Sequence, residues 1–242
     1  MTSAAIRHPV GRLVEPPPDR FGCAGSQLGR RRDLCSPNRD ADTLAPVAKA
    51  KLCLAQVPEA DALLSKDPLA LLVGFVLDQQ IPLEWAFRGP FELTQRLGTE
   101  LDAAALASMD PDKLAAVFAA RPSLHRYPAS MAKRVQALCE VLVEQFGGKA
   151  DAVWRRPKTG KELLTNVRLL PGFGDQKARI FIALLGKQLG VQPAGWQEAC
   201  APYGEPGTLR SVADIVSRET LEEVRTAKKA VKAAAKAAAA KA

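Results

Sequence analysis

The 242-residue sequence holds two histidines, His8 and His125, and five cysteines, at positions 23, 35, 53, 139 and 200. Two histidines and scattered thiols cannot build a zinc site, and no cysteine pair has the short spacing of a zinc ribbon, a redox dithiol or an iron–sulfur cluster. The odd count at wide spacings reads as five reduced thiols, which suits the cytoplasm. Cys139 falls on an apolar helical face and reads as a small buried hydrophobe. No apolar run reaches the length of a membrane span, and the N-terminal stretch lacks the apolar centre of a secretory signal, so no membrane partner is expected. No stretch alternates as a half-buried strand does, which leaves an all-α domain.

What is present suits one globular domain with tails at both ends. The chain is 47% hydrophobic and 25% charged, and 34 Lys and Arg against 26 Asp and Glu give a net charge of +8, which favours a polyanionic partner. Residues 1–45 carry Pro16, Pro17 and Pro18 and the triplet Arg30, Arg31, Arg32 without an apolar period, and read as a disordered segment. The arginines suit phosphate; a solvated tail or an over-extended reading frame explains them as well.

The domain proper is expected over residues 46–225. Residues 48–54 and 60–64 read as one or two short helices. Asp67 as N-cap and Pro68 at the first helical position open a helix that is apolar almost all round, which places it at the centre of the domain. Asp78, Gln79 and Gln80 end it before Pro82. Further helices are expected over residues 84–97, 102–108, 112–120, 133–146, 160–169, 175–189, 196–201 and 211–224, with Gly147 and Gly148 stopping the fourth of these. Residues 226–242 form a lysine and alanine tract without an acid. Alanine gives it helix propensity but no face to bury, so it serves either duplex DNA, by exchanging counterions for lysines, or solubility.

Between two of these helices runs Leu169-Leu170-Pro171-Gly172-Phe173-Gly174-Asp175-Gln176-Lys177-Ala178-Arg179. Two glycines one residue apart allow a tight turn that brings bare amides to the start of a helix, where the helix dipole adds to an anion site. Lys177 and Arg179 add positive charge; a turn shaped only for packing is the plainer alternative. With the apolar run that follows, residues 169–179 resemble the hairpin of the helix-hairpin-helix (HhH-GPD) DNA glycosylase superfamily, which includes endonuclease III and the adenine and alkylbase glycosylases. Asp67-Pro68 and the run from Leu71 to Ile81, with its Gln79-Gln80, resemble that family's early buried helix.

The resemblance covers roughly residues 50 to 200 and implies a two-lobed helical fold, a double-stranded DNA partner and a base-excision repair role. It implies that the hairpin holds a backbone phosphate through Gly172, Phe173 and Gly174, assisted by Gln176 and Lys177, beside a K+ or Na+ ion on the carbonyls of Leu170 and Gly172. It also implies that Gln80 fills the gap left by an extruded base.

Two family positions depart. Gln176 stands where the lyase lysine of bifunctional members falls, and Lys177 comes one residue later, about a hundred degrees around the helix, so no lyase activity is expected. Where the family's catalytic Asp falls, residues 190–196 contain no carboxylate. Glu198 is the nearest acid beyond, with Trp196 beside it as an apolar wall that, with Gln79, would line a base pocket. The alternative for Glu198 is a first-turn glutamate on its own helix dipole. Asp175 reads as an N-cap, Asp78 ranks below Glu198 as a catalyst, and His125 reads as a surface histidine or a phosphate contact. No iron–sulfur cluster is expected, and a monomer is. Two functions remain open: a monofunctional DNA N-glycosylase, and a module of the same fold that binds damaged or distorted DNA with the chemistry lost.

Overall fold

A computed structural model of the protein describes residues 52–239; the expectations for residues 1–45, for His8 and for residues 48–51 lie outside them. Among the described residues every regular element is helical, and the one β-bridge, between Thr159 and Ala194, is isolated. The fold class is therefore all-α.

Residues 52–57 are not helical, contrary to the expected helix over 48–54. Leu52 donates its amide to Ser65 Oγ at 2.9 Å, and Leu54 and Ala55 donate theirs to the buried Asp61 carboxylate at 2.8 and 2.7 Å. Side-chain acceptors take the amides that a helix would turn on its own carbonyls. The chain then enters α1 (Pro58–Lys66).

Helix α2 (Pro68–Leu77) is the spine of the domain. Asp67 caps it by accepting from the Leu69 amide at 2.8 Å, Pro68 occupies its first turn, and every residue from Leu69 to Leu77 is buried. Each large apolar side chain so buried contributes roughly 1.5–3 kcal/mol. Helix α3 (Leu83–Leu97) lies close against it: a Cβ on Gly89 would stand 2.5 Å from Leu77. Helices α4 (Ala103–Ser108) and α5 (Pro111–Ala119), capped by Asp102 and Asp110, pack on α6 (Pro128–Phe146). Helix α6 starts five residues before the expected start at residue 133, because Pro128 suits a first turn. Cys139 is buried in it, and that burial pushes its thiol up to about 12.

Helix α7 (Ala152–Arg155) has no counterpart among the expected elements; a single turn is too short to show a period. Helix α8 (Gly160–Arg168), capped by Thr159, leads through the glycine turn into α9 (Asp175–Gln188), and the short α10 (Trp196–Ala199) packs on both. The helix expected over 211–224 is broken. A single 3-10 turn, Val212–Asp214, is closed by a capping box between Ser211 and Asp214. Thr220 Oγ1 then accepts the Val216 and Ser217 amides at 2.9 Å and starts α11 (Arg218–Ala239). That helix runs without a break through the expected boundary at residue 225, and beyond Ala227 its side chains are exposed as far as residue 234.

One ring cluster ties the glycine turn to the spine. Phe75 meets Phe87 and Phe181 edge-on at 5.2 and 4.9 Å and stacks on Phe173 at 6.1 Å. No described helix is long and apolar enough to cross a membrane, and no described group of His, Cys, Asp and Glu is arranged to hold a metal ion.

Candidate functional site

The turn between α8 and α9 exposes two glycines and buries the residue between them. Gly172 adopts φ +87°, a conformation open to glycine and strained for other residues. The Phe173 ring is 4% exposed and sits in the aromatic cluster, and its amide donates to the Leu170 carbonyl at 3.1 Å. Phe173 thus anchors the turn and offers no free amide. Gly174 is the N-cap of α9: its carbonyl accepts from Ala178 at 2.9 Å, and no side chain caps the helix. The first-turn amides of Asp175, Gln176 and Lys177 have no acceptor among the described residues, so the start of α9 is an open anion seat.

Asp175, expected as the N-cap, is the first helical residue instead, because the glycine backbone supplies the cap. Its carboxylate is paired with Arg168 and, at 2.9 Å, with Arg179. Arg179 also reaches the carbonyls of Ala199 and Ala201 at 3.3 and 3.4 Å. Gln176 is exposed and donates to the Tyr203 hydroxyl at 3.0 Å.

The turn lies against the C-terminal end of α2. A Cβ on Gly172 would stand 3.6 Å from Val76 and 4.0 Å from Gln79 Nε2. Lys177 points into this junction: its ammonium donates to the carbonyls of Phe75 at 2.7 Å and Asp78 at 3.2 Å, which would otherwise be orphaned at the helix end. The loop that follows is held at three further points. Gln79 Nε2 donates to the Val76 carbonyl at 2.7 Å, Gln79 Oε1 accepts from Arg134 at 2.6 Å, and the Gln79 carbonyl pairs with His125 Nε2 at 2.8 Å. His125 Nδ1 accepts the Tyr127 amide at 2.9 Å, so Nε2 must carry the hydrogen.

His125 is 1% exposed, which overturns its reading as a surface histidine. Both ring nitrogens have backbone partners, one of them 46 residues away, and no local pattern reveals that. Gln80 comes next in the left-handed region, φ +58°, with its side chain exposed. A non-glycine residue held there carries strain of about 1–2 kcal/mol, which the anchored neighbours sustain.

Asp78 and Lys177 are the titratable pair at this junction. Burial pushes the Asp78 carboxyl above its ordinary range, with Lys177 and Lys228 opposing, and burial pulls the Lys177 ammonium down, with Asp78 opposing. The Asp78 carboxylate accepts no hydrogen bond from the described residues. A partly desolvated carboxylate that faces a cation without a hydrogen bond remains available to stabilise positive charge or take a proton.

Trp196 and Glu198 lie elsewhere. The Trp196 ring packs on Gly186, where a Cβ would come within 2.2 Å of it. Gly186 is eleven residues beyond Asp175, about 16 Å along α9. Glu198 is exposed, with Oε2 3.6 Å from the Cβ position of Gly195, at the start of its own short helix. The structure therefore brings together Gly172, Gly174, Lys177, Asp78, Gln79 and Gln80, sets the Trp196 ring far along α9 from them, and gives Glu198 no contact with them. His125 and Arg134 join the site through contacts distant in sequence. Compared with protein-family models, with curated proteins and with solved structures, the chain matches none.

Proposed function

We propose that the protein binds duplex DNA through the α8–α9 turn and the Gln79–Gln80 loop and releases a damaged or mispaired base as a monofunctional DNA N-glycosylase. The observation that carries this reading is Gln80. An exposed amide side chain is held in a strained backbone conformation, on a loop locked by His125, Arg134 and Lys177, beside an open anion seat. Such a residue suits insertion into a stack whose base has been turned out, while the seat takes the phosphate of the same strand. The likeness of residues 169–179 and of Gln79-Gln80 to the helix-hairpin-helix glycosylases supports the same reading and, with it, a two-lobed fold. A DNA-associated cytoplasmic monomer fits it.

For the chemical step the geometry favours Asp78 over Glu198. Base release breaks the bond between C1′ and the base nitrogen, the base leaves with the bonding electron pair, and water adds to C1′. A carboxylate beside C1′ stabilises the positive charge on the sugar and accepts the proton of the water. Asp78 is the carboxylate at the junction of turn and loop, whereas Glu198 is exposed on α10, outside that junction. Lys177 acts as a positioning residue that holds the end of α2 and keeps a positive charge near Asp78. A K+ or Na+ ion at the turn would rest on the Gly172 carbonyl, which accepts no hydrogen bond from the described residues, and on that of Leu170, which already accepts one from Phe173.

The exposure of Glu198 and the lack of a carboxylate in residues 190–196 favour a second reading, a module that binds distorted DNA without cleaving it. Labelled duplexes carrying uracil, hypoxanthine, alkylated purines, 8-oxoguanine or mismatched adenine separate the two under single turnover. The glycosylase reading predicts base release, seen as alkali-labile sites without spontaneous nicking. Salt-sensitive binding with no release from any duplex leaves the binding module, and no binding at all overturns both.

A further inference from the structure

Helix α11 leaves the domain beside the Gln79–Gln80 loop. Leu221 and Val224 are 2% and 1% exposed and root it in the core. One turn on, the Arg225 guanidinium takes both oxygens of Glu84 at 2.5 and 2.6 Å and is held from its own helix by Glu222 at 2.6 Å. Glu84 lies four residues after Gln80, in the first turn of α3. A two-pronged guanidinium–carboxylate contact fixes direction as well as distance. The next lysine, Lys228, is close enough for its charge to act on Asp78.

Beyond this clasp the side chains of residues 228–234 are exposed, and the sequence carries one sign of charge. Glu223 is the last acid of the chain, and Lys228, Lys229 and Lys232 are exposed. At a hundred degrees per residue, positions 228, 229, 232 and 236 fall within an arc of about a hundred degrees, a single stripe about 12 Å long. Val231, outside that arc, is 70% exposed, so the extension has no apolar face to bury against a protein partner. A straight cationic stripe matches a row of phosphates, which recur every 3.4 Å of axis along each strand.

We infer that α11 is a DNA-holding arm: the Arg225–Glu84 clasp aims its lysine stripe along the phosphates that flank the base pair opened at Gln80. The inference rests on the DNA-binding reading above and adds to it a second, separately removable contact. Affinity from the stripe carries no sequence information, and its place beside the loop makes it serve the opened site.

The test uses the full chain and a fluorescent duplex with one mismatch, with affinity measured across a salt series. Lys228→Gln, Lys229→Gln and Lys232→Gln together are expected to lower affinity at least tenfold and to make the slope of log K against log salt shallower by about two to three units. Glu84→Ala is the sharper variant. Removing an acid near DNA should tighten binding if charge alone matters, whereas loss of the clasp should weaken it at unchanged net lysine charge. A third variant moves the stripe: Lys228→Ala and Lys232→Ala with Ala230→Lys and Ala234→Lys keeps the charge and puts half of it on the opposite face, and is expected to bind less tightly than the parent. Circular dichroism confirms that each variant folds. Tighter or unchanged binding by Glu84→Ala, together with parent-like binding by the moved stripe, overturns the arm. If Gly172→Ala weakens binding while these variants do not, the arm falls and the DNA reading stands. If the parent binds no duplex, both fall.

Discussion

Two segments of this chain carry residues whose sequence context suggested chemistry, and the fold treats them in opposite ways. In the loop after α2, Gln79 is bound through its side-chain amide, its side-chain oxygen and its carbonyl, so that Gln80 can be left exposed in a left-handed conformation. In the segment that forms α10, the conspicuous residue, Trp196, is used to pack on Gly186, and Glu198 projects into solvent. An exposed residue gains functional meaning when its neighbours are anchored for it. Conspicuous residue type alone does not supply that meaning.

Substitutions sharpen the contrast. The largest stability effect is expected from Phe173→Ala, which empties the ring cluster under the turn and should cost about 3–5 kcal/mol in chemical denaturation. His125→Ala comes next. It leaves the Gln79 carbonyl and the Tyr127 amide without partners in a buried place, costs about 2–4 kcal/mol, and should loosen the loop enough to raise amide exchange at Gln79 and Gln80. A smaller pair separates the segments by readout. Gly186→Ala drives a methyl into the Trp196 ring, with an expected loss of about 1–3 kcal/mol and no change in DNA affinity. Gly172→Ala meets only ordinary contacts, but its φ of +87° penalises alanine by about 1 kcal/mol or more and reshapes the anion seat, so DNA affinity should fall.

The smallest expected effect is one of pH. The folded pKa of Asp78 lies above its ordinary value of 3.8 because burial penalises the charge. A group raised in this way contributes stability that is fully present below about 3.8 and lost as pH rises through the folded value. Asp78→Asn avoids that loss, so its melting-temperature advantage over the parent should grow from acid toward neutral pH. An advantage that shrinks toward neutrality would contradict the burial of that carboxylate.

Much of the fold was legible in local sequence. The Asp67-Pro68 start of α2 and the apolar circumference that buries it are short-range effects, and both appear in the structure. What escaped depended on side-chain acceptors that an apolar period does not reveal. Asp61 and Ser65 pull residues 52–55 out of a helix, and Asp214 breaks the 211–224 segment by taking the Arg210 and Ser211 amides and the Lys187 ammonium. At the site, the glycine turn and Gln79-Gln80 were visible as motifs. The burial of His125 and the inward direction of Lys177 were not, because they are set by contacts 46 and about a hundred residues away. The weight of Asp78 comes from its burial beside Lys177, which no local pattern shows.

On the proposed glycosylase reading, the chemistry belongs to the loop after α2 and not to α10. The most direct measurement compares single-turnover base release by the parent, Asp78→Asn and Glu198→Gln on whichever lesion duplex the parent cleaves. Release by the parent and by Glu198→Gln, with a loss of about a hundredfold or more in Asp78→Asn at unchanged DNA affinity, is the predicted result. Release retained by Asp78→Asn and abolished in Glu198→Gln would contradict the account and return the catalytic role to α10.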